Sequence, residues 1–271
     1  MFAQDMIPSS PSFRRLVSAS ACIGCGVLLL ATARGQAHSL FSESFEGVEY
    51  KVGTSVEGAG GWRITASNPS LDDRAAMIRA GDAAGGSKAL EVTVKGSAPS
   101  DSTRVVNDFN AMPLDLRAGK IYRITGAINY LNLDDLKASG GLLIRFHTDC
   151  GEFAFSLNAK KRNALLHRRV RGMRVSESLE SDGDLIKPGQ WYLFTLDLHL
   201  TKEGAKLDAA LSAVRGGVHD KAMLWQANDF ELGFSPSQVR KIEIAADRVN
   251  PAEALRVGLF DAIAISEQPS S

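Results

Sequence analysis

Apolar and polar residues alternate along most of the chain after residue 88. Leu90, Val92 and Val94 alternate with polar neighbours, and the longest run places apolar side chains at every second position from Tyr192 to Leu200. A period of two is typical of strands that bury one face. The same period predicts further strands at Tyr122–Tyr130, Leu142–Phe146, Phe153–Leu157, Leu207–Leu211, Ile242–Ile244 and Leu259–Ile263.

Few segments show the period of a helix. The best helical candidates are the short stretches Leu133–Ala138 and Pro236–Arg240. No repeat of fixed length is visible, which argues against a propeller or a solenoid. Many strands bounded by Gly, Asn, Asp or Pro predict an all-β fold, a two-sheet antiparallel β-sandwich of the jelly-roll kind. Because no linker divides the chain, we expect residues 38–271 to form a single domain.

The N-terminal segment has a different pattern. Arg14 and Arg15 precede a short apolar run that ends near Ala33, and a small-x-small site follows at Gly35–Ala37. This order predicts a secretory signal peptide at residues 1–37, with cleavage after Ala33 as the alternative. An uncleaved membrane anchor is the competing interpretation, but the run is rather short to span ~30 Å of hydrocarbon. We therefore expect a secreted or periplasmic protein.

Composition and charge narrow the classes of partner. The chain has 44% hydrophobic and 23% charged residues, with 31 basic residues against 31 acidic ones. This is ordinary globular composition, and the balanced charge excludes a global attraction to nucleic acid or to an anionic membrane.

Two of the three cysteines, Cys22 and Cys25, lie in the predicted leader. Cys150 alone remains after cleavage, so no intrachain disulfide is predicted. The oligomeric state stays open.

Several segments resemble one superfamily. The opening Ser42–Trp62, with F-E-G, G-T-S and G-G-W motifs, is similar to the first strand and turn of bacterial concanavalin A-like (laminin-G-like) jelly rolls. Gly86–Leu90, Gly189–Phe194 and Gly258–Ile265 resemble later strands of that superfamily, in the same order. The resemblance covers nearly the whole mature chain. Because the superfamily includes lectin modules, glycosidases, polysaccharide lyases and structural domains, it implies the fold more than the function.

No catalytic residue is predicted. Laminarinase-type members of the superfamily carry two glutamates on one strand, whereas Glu43 and Glu46 have the wrong spacing here. Lyase-type members use an Arg-rich strand, a Gln-x-His strand and a Tyr-x-Lys strand. Arg145–His147 and His167–Arg169 resemble the first two in residue type alone, and the third has no counterpart.

Polar residues between the apolar ones predict outward faces. If Leu142, Ile144 and Phe146 point inward, Arg145 and His147 point outward together. Such a face is either solvated surface or a binding face for a glycan, with Trp191 either stacking on sugar or packed against an edge loop. The candidate binding residues are Arg123, Asn129, Arg145, His147, Asp149, Asn158, Trp191, Asp197 and His199.

A basic run occupies Lys160–Arg174 and holds seven Lys and Arg residues and no acid. It is followed by Glu177, Glu180, Asp182 and Asp184. One interpretation is an anion-binding strand that faces acidic polysaccharide. The other is a hairpin whose basic arm pairs with its acidic arm across the ladder.

The resemblance also implies a structural calcium ion. Related carbohydrate-binding jelly rolls often hold Ca²⁺ with an acid from the first strand and an Asp from the last. The matching positions here are Glu46 and Asp261, although Asp261 is also explained as a residue that caps a sheet edge.

From the strand pattern, the predicted leader and the resemblance, we expect an exported, carbohydrate-binding or surface-associated module without catalytic residues. The alternatives are a divergent polysaccharide lyase or glycoside hydrolase that uses Arg145 and His147, and a structural envelope domain.

Overall fold

β-Strands account for nearly all of the regular structure. The computed structural model describes residues 37–66, 75–81, 83–95, 102–132, 140–173, 176–214, 221–247 and 255–269. Helical structure within these ranges is limited to a 3₁₀ turn at Ala59–Gly61 and to Ala75, which also has 3₁₀ conformation, and no helix there has the length and apolar character of a membrane span. The predicted leader (except Ala37) and the predicted helix Leu133–Ala138 lie outside the described residues.

The strands form two antiparallel sheets of eight strands each. Sheet A follows the spatial order β14 (Lys221–Glu231), β13 (Ala205–Val214), β12 (Trp191–Leu200), β7 (Ile121–Tyr130), β16 (Leu255–Glu267), β4 (Lys88–Lys95) and β3 (Ala76–Ala80). The first strand, β1 (His38–Glu43), also pairs with β16, so that His38 lies opposite Glu267.

Sheet B has the order β11 (Glu177–Glu180), β10 (Asn163–Val170), β9 (Gly151–Asn158), β8 (Gly141–Thr148), β15 (Gln238–Asp247), β5 (Ser102–Asp108) and β2 (Trp62–Ala66). A short strand, β6 (Leu114–Asp115), also pairs with β15. The two sheets enclose one main apolar core, which confirms the predicted β-sandwich.

The alternation along β12 decides which side of that strand is buried. Its even-numbered residues from Tyr192 to Leu200 are buried, while Thr195, Asp197 and His199 remain partly exposed. Phe194 of sheet A stacks on Phe155 of sheet B with the ring centroids 4.8 Å apart. A slip of one residue would bury Asp197 and expose five large apolar groups, so the burial of apolar surface fixes the register.

A glycine interrupts the apolar pattern of β7 for a packing reason. Gly126 follows Tyr122 and Ile124 on the inward side of the strand. A Cβ atom at this position would lie 2.6 Å from the ring of Phe194. The close approach of that ring therefore requires a residue without a side chain.

One predicted helix is wrong. The segment Pro236–Arg240 is loop followed by strand, because β15 begins at Gln238. Val239 is buried in the core and pairs with Leu114 on one side and Thr148 on the other. Backbone pairing to both neighbours satisfies the amide groups that a helix would have used.

Candidate functional site

The outer face of sheet B, which points away from the core, carries charged residues from four adjacent strands. Burial of Ile144 and Phe146 turns Arg145 and His147 of β8 outward. Strand pairing then sets Arg145 opposite Glu243 of β15 and His147 opposite Glu152 of β9. On the far side of β9, Glu152 lies opposite Arg169 of β10. Opposite charges thus face each other across three ladders.

These side chains form a shared network, which we call the ionic cluster (Arg145, His147, Glu152, Arg169 and Glu243). Arg145 Nη1 lies 3.0 Å from Glu243 Oε1, and Arg145 Nε lies 3.7 Å from Glu152 Oε1. The His147 ring lies between the two carboxylates, with Nδ1 3.3 Å from Glu152 and Nε2 3.4 Å from Glu243. Arg169 Nη2 contacts Glu152 at 3.0 Å. Each carboxylate therefore serves more than one cation.

The surroundings shift the pKa values of Glu152, Glu243 and His147. Burial opposes ionisation of Glu152, but the hydrogen bond from His147 and the charges of Arg145 and Arg169 lower its pKa to about 2. Glu243 is 4% exposed, and against the effect of burial the hydrogen bond from His147 and the charges of Arg145 and Arg104 lower its pKa. Burial disfavours the His147 cation, yet hydrogen bonds to Glu152 and Glu243 raise the pKa of this ring. The cluster therefore favours the charged forms of Glu152, Glu243 and His147.

The ionic cluster borders a groove on this face. One part has a volume of about 680 Å³ and is lined by Arg104, Leu143, Arg145, Ala154 and His167, among others. A smaller part, of about 250 Å³, lies at the His147 end. Glu152 and Arg169 line both parts, so their ion pair stands at the junction. The groove is thus polar along most of its length.

His167 adds a neutral polar group to the larger part of the groove. Its Nε2 lies 2.8 Å from the hydroxyl of Ser156. Burial lowers the pKa of His167, and the neighbouring charge of Arg145 lowers it further. A ring that stays neutral near pH 7 can both donate and accept hydrogen bonds, as sugar hydroxyls require.

Two of the predicted binding residues on this side serve the loops instead. β8 ends at Thr148, so the expected alternation does not extend to Asp149. The Asp149 carboxylate accepts hydrogen bonds from the backbone and hydroxyl of Ser237 at 3.0 and 2.7 Å. Asn158 lies at the end of β9, where its Oδ1 accepts a hydrogen bond from the Lys161 amide at 3.0 Å.

The remaining predicted binding residues lie on the outer face of the other sheet. Arg123 and Asp197 form a bidentate ion pair at 2.8 and 2.7 Å. His199 pairs with Asp208 at 3.0 Å. The predicted residues therefore divide between opposite sides of the sandwich and do not line one common face.

Trp191 and Asn129 are buried near one end of sheet A. Trp191 is 8% exposed and belongs to a second, small apolar cluster with Ala84, Ala127 and Leu259. Asn129 lies opposite Trp191 and donates to the Gly189 carbonyl at 3.3 Å. This location matches the interpretation of Trp191 as a residue packed against a loop, and it leaves the indole little surface for stacking on a sugar.

The basic run is divided between two roles. Two contacts fit the hairpin interpretation: Arg168 pairs with Glu177, and Lys161 lies 2.6 Å from Glu180. Arg169 instead points to the ionic cluster.

Sequence reasoning missed Glu243, Arg104 and Arg169 as site residues. Alternation around Ile242 and Ile244 gives Glu243 its outward direction, but only the pairing of β15 with β8 places it beside Arg145.

The predicted calcium ligands hold one loop. Glu46 accepts hydrogen bonds from the amides of Ser87 and Lys88 at 2.6 and 2.7 Å, and from the Ser87 hydroxyl at 2.8 Å. Asp261 accepts from the amides of Ala84 and Gly85 at 3.0 and 3.1 Å, and from Ala262 at 2.7 Å. Burial and the charge of Glu46 raise the pKa of Asp261 to about 6, although these amides lower it.

A cationic side chain already contacts the nearby carbonyl groups. Lys88 Nζ donates to the carbonyls of Glu46 and Gly47 at 3.3 Å each and to that of Tyr50 at 3.0 Å. Calcium takes about six to eight oxygen ligands. With the carboxylates engaged by N–H and O–H donors and the carbonyls by Lys88, this arrangement does not fit the ion. Within the described residues no group of three or more acidic, His or Cys side chains is placed to hold a metal. Calcium at Glu46 and Asp261 stays a prediction, which thermal unfolding in EDTA and in excess CaCl₂ tests.

Comparison with known proteins identifies the fold. No protein-family model matches the sequence, and a search of curated proteins also gave no match. An endo-1,3-beta-glucanase from Streptomyces sioyaensis superposes with a TM-score of 0.56 at 11% identity, over 89% of this chain and 100% of that chain. The chain has a concanavalin A-like jelly-roll fold. This confirms the resemblance found in the sequence.

A second solved structure, described as a carbohydrate esterase from the Shiga toxin-encoding bacteriophage phi24B, also superposes on this chain. It gives a TM-score of 0.50 at 13% identity, over 87% of this chain and 100% of that chain. At such identities the likeness establishes the concanavalin A-like fold alone, and the function has to be argued from the groove.

Proposed function

We propose that the protein is an exported module that binds carbohydrate in the groove on the outer face of sheet B. The observation that carries this proposal is the groove itself, about 680 Å³ in volume and lined by Arg104, Arg145 and His167. Arginine and a neutral histidine supply the donors and acceptors that sugar hydroxyls need. The names of the two solved structures, a glucanase and a carbohydrate esterase, support carbohydrate as the ligand class.

The charge state of the glutamates supports binding over hydrolysis. A glycosidase needs a carboxylic acid that stays protonated near neutral pH. Against the effect of burial, the His147 hydrogen bond and nearby arginines lower the pKa of Glu152 to about 2, and Glu243 is also shifted downward. Both carboxylates are therefore ionised and engaged with cations.

The tyrosines weaken the lyase alternative. A lyase of the type considered above would need Arg145, His147 and a tyrosine to converge in the groove. All four tyrosines of the chain, Tyr50, Tyr122, Tyr130 and Tyr192, are buried in the core.

A hydrolase remains the second candidate, favoured by the position of Glu152 in the groove. Turnover of a glycan that is abolished by Glu152→Gln would reverse the order of the two candidates.

A glycan panel tests the binding proposal. The protein purified after secretion from the full-length gene is tested against neutral and acidic polysaccharides by affinity electrophoresis. We expect binding that Ala154→Phe weakens at least about tenfold, because Ala154 lines the groove and a larger side chain fills it. The matched control is Ala210→Phe, on a central strand of sheet A and partly exposed. If Ala154→Phe fails to fold, His167→Ala replaces it. A protein that binds no polysaccharide contradicts the proposal.

Export is tested separately. We expect the secreted product to begin at His38, or at Arg34 if cleavage follows Ala33, since the small residues at these positions suit a signal peptidase. N-terminal sequencing of the extracytoplasmic fraction measures this. An intact Met1 in that fraction, or retention of the protein in the cytoplasm, contradicts it.

A further inference from the structure

We infer that the groove selects anionic polysaccharides, with Arg104, Arg145 and Arg169 as the residues that contact the carboxylate or sulfate groups. This inference rests on the proposed function, because it names the ligand class of the same groove. It does not follow from the fold, which establishes no ligand.

The groove carries several arginines together with the carboxylates that pair with them. Four arginines line its larger part (Arg104, Arg145, Arg168 and Arg169), with the acids Glu152 and Asp247 in the lining and Glu243 and Glu177 beside it. Arg168 is occupied elsewhere, since it pairs with Glu177 and its guanidinium lies 5.7 Å from the centre of the Phe230 ring. The other three arginines remain available to the groove.

The three arginines face three carboxylates, Glu152, Glu243 and Asp247, and the His147 ring adds one more cation when it is protonated. Glu152 is shared by Arg145, His147 and Arg169. Glu243 is shared by Arg145 and His147. The protonated His147 ring therefore leaves these groups with one cation in excess. The charge of Arg145 also acts at His167, whose pKa is lowered by burial first and by Arg145 second, while Glu180 raises it. An excess of positive charge attracts anions into a groove.

Arg104 and Arg169 have donors to offer a ligand. The Arg104 side chain is 41% exposed, and its guanidinium lies a long 3.8 Å from the Asp247 carboxylate. The Arg169 side chain is 48% exposed. A guanidinium group binds a carboxylate or a sulfate through two parallel hydrogen bonds, which a neutral hydroxyl cannot accept in the same way.

The Glu152 carboxylate is an anion of the protein itself that already occupies the groove. It stands at the junction of the two parts, bound to Arg169. An anionic sugar beside Arg169 has to compete with this carboxylate. The inference therefore predicts opposite effects for the two partners of one ion pair: loss of Arg169 weakens binding, and loss of the Glu152 charge strengthens it.

The test measures affinity for three polymers by titration calorimetry, at low and at high salt. Polygalacturonate carries carboxylates, heparin carries sulfates as well, and laminarin is neutral. We expect Arg169→Ala to weaken binding of an anionic polymer at least about tenfold. We expect Glu152→Gln to strengthen it, and added salt to weaken it. The matched control is Arg123→Ala on sheet A, because Arg123 is 47% exposed and pairs with Asp197 as Arg169 pairs with Glu152.

The outcomes separate this inference from the proposed function. Binding of laminarin alone overturns the anionic ligand and leaves the carbohydrate module standing. Binding of no polymer overturns both. Equal losses in Arg169→Ala and Arg123→Ala overturn the assignment of the groove. If Arg169→Ala does not fold, Arg169→Lys keeps the charge but removes the paired donors, and weaker binding by that variant supports the inference. A preference for polygalacturonate over heparin assigns carboxylate, and the reverse preference assigns sulfate.

Discussion

The outer faces of the two sheets carry the same types of charged residue but partner them differently. On sheet A, three basic side chains each contact a separate carboxylate, in the pairs Arg123–Asp197, His199–Asp208 and Lys206–Asp229. On sheet B, the ionic cluster shares its carboxylates among several cations, and Glu243 is almost fully buried. The first face is a neutralised, solvated surface. The second combines burial with carboxylates that several cations share, a combination found at binding sites and in structural ion networks.

Removing one cation from each face gives the largest expected contrast. Arg145→Ala leaves the buried Glu243 without its closest cation, so we expect a loss of about 3 kcal/mol in the free energy of unfolding. Arg123→Ala removes an exposed pair, and we expect a loss below about 1 kcal/mol. Urea denaturation of the two variants measures both values. Equal losses would contradict the distinction between the faces.

Acid should reveal the same contrast with a smaller effect. The folded-state pKa of Glu152 lies below its ordinary value of 4.5, at about 2. Its contribution to stability is therefore present above pH 4.5 and is lost as the pH falls through about 2. We expect the decline in unfolding free energy between about pH 5 and pH 2 to be shallower in Glu152→Gln. Asp197→Asn on sheet A is the control, and an equally flattened acid decline in that variant would count against the cluster.

The smallest expected effect concerns the two outward histidines. Hydrogen bonds to Glu152 and Glu243 raise the pKa of His147 although burial opposes this. A raised folded-state pKa stabilises the protein below the ordinary value of 6.5, and this contribution disappears as the pH rises through the raised value. We expect NMR titration to place the His147 ring above pH 6.5, and His147→Gln to remove that part of the pH dependence. His199→Gln should leave it in place. A His147 ring that titrates below 6.5 would remove the basis for this prediction.

Local alternation predicted the direction of side chains well. The inward side of β12 and the outward direction of Arg145 and His147 are as expected, because a period of two depends only on neighbours in the chain. Sequence patterns were less reliable at the ends of strands. Asp149 lies just past the end of β8, and the segment Pro236–Arg240, predicted as a helix, contains the beginning of β15. They also could not distinguish the faces of the two sheets, since Arg145 meets Glu243 through a pairing between segments far apart in sequence. Trp191 shows a related difficulty, because a loop covers a position that alternation places on the outside.

The pairing of β1 with β16 bears on when this protein can fold. The first strand of sheet A lies along the last, with Glu43 opposite Ile263. Strand β1 emerges from the ribosome long before β16 has been synthesised. Sheet A therefore cannot be completed during synthesis. A leader at the N-terminus, as predicted, would reach the export machinery before the C-terminal strand has been synthesised. If that leader directs export of the unfolded chain, sheet A is completed only after the C-terminal strand has also crossed the membrane.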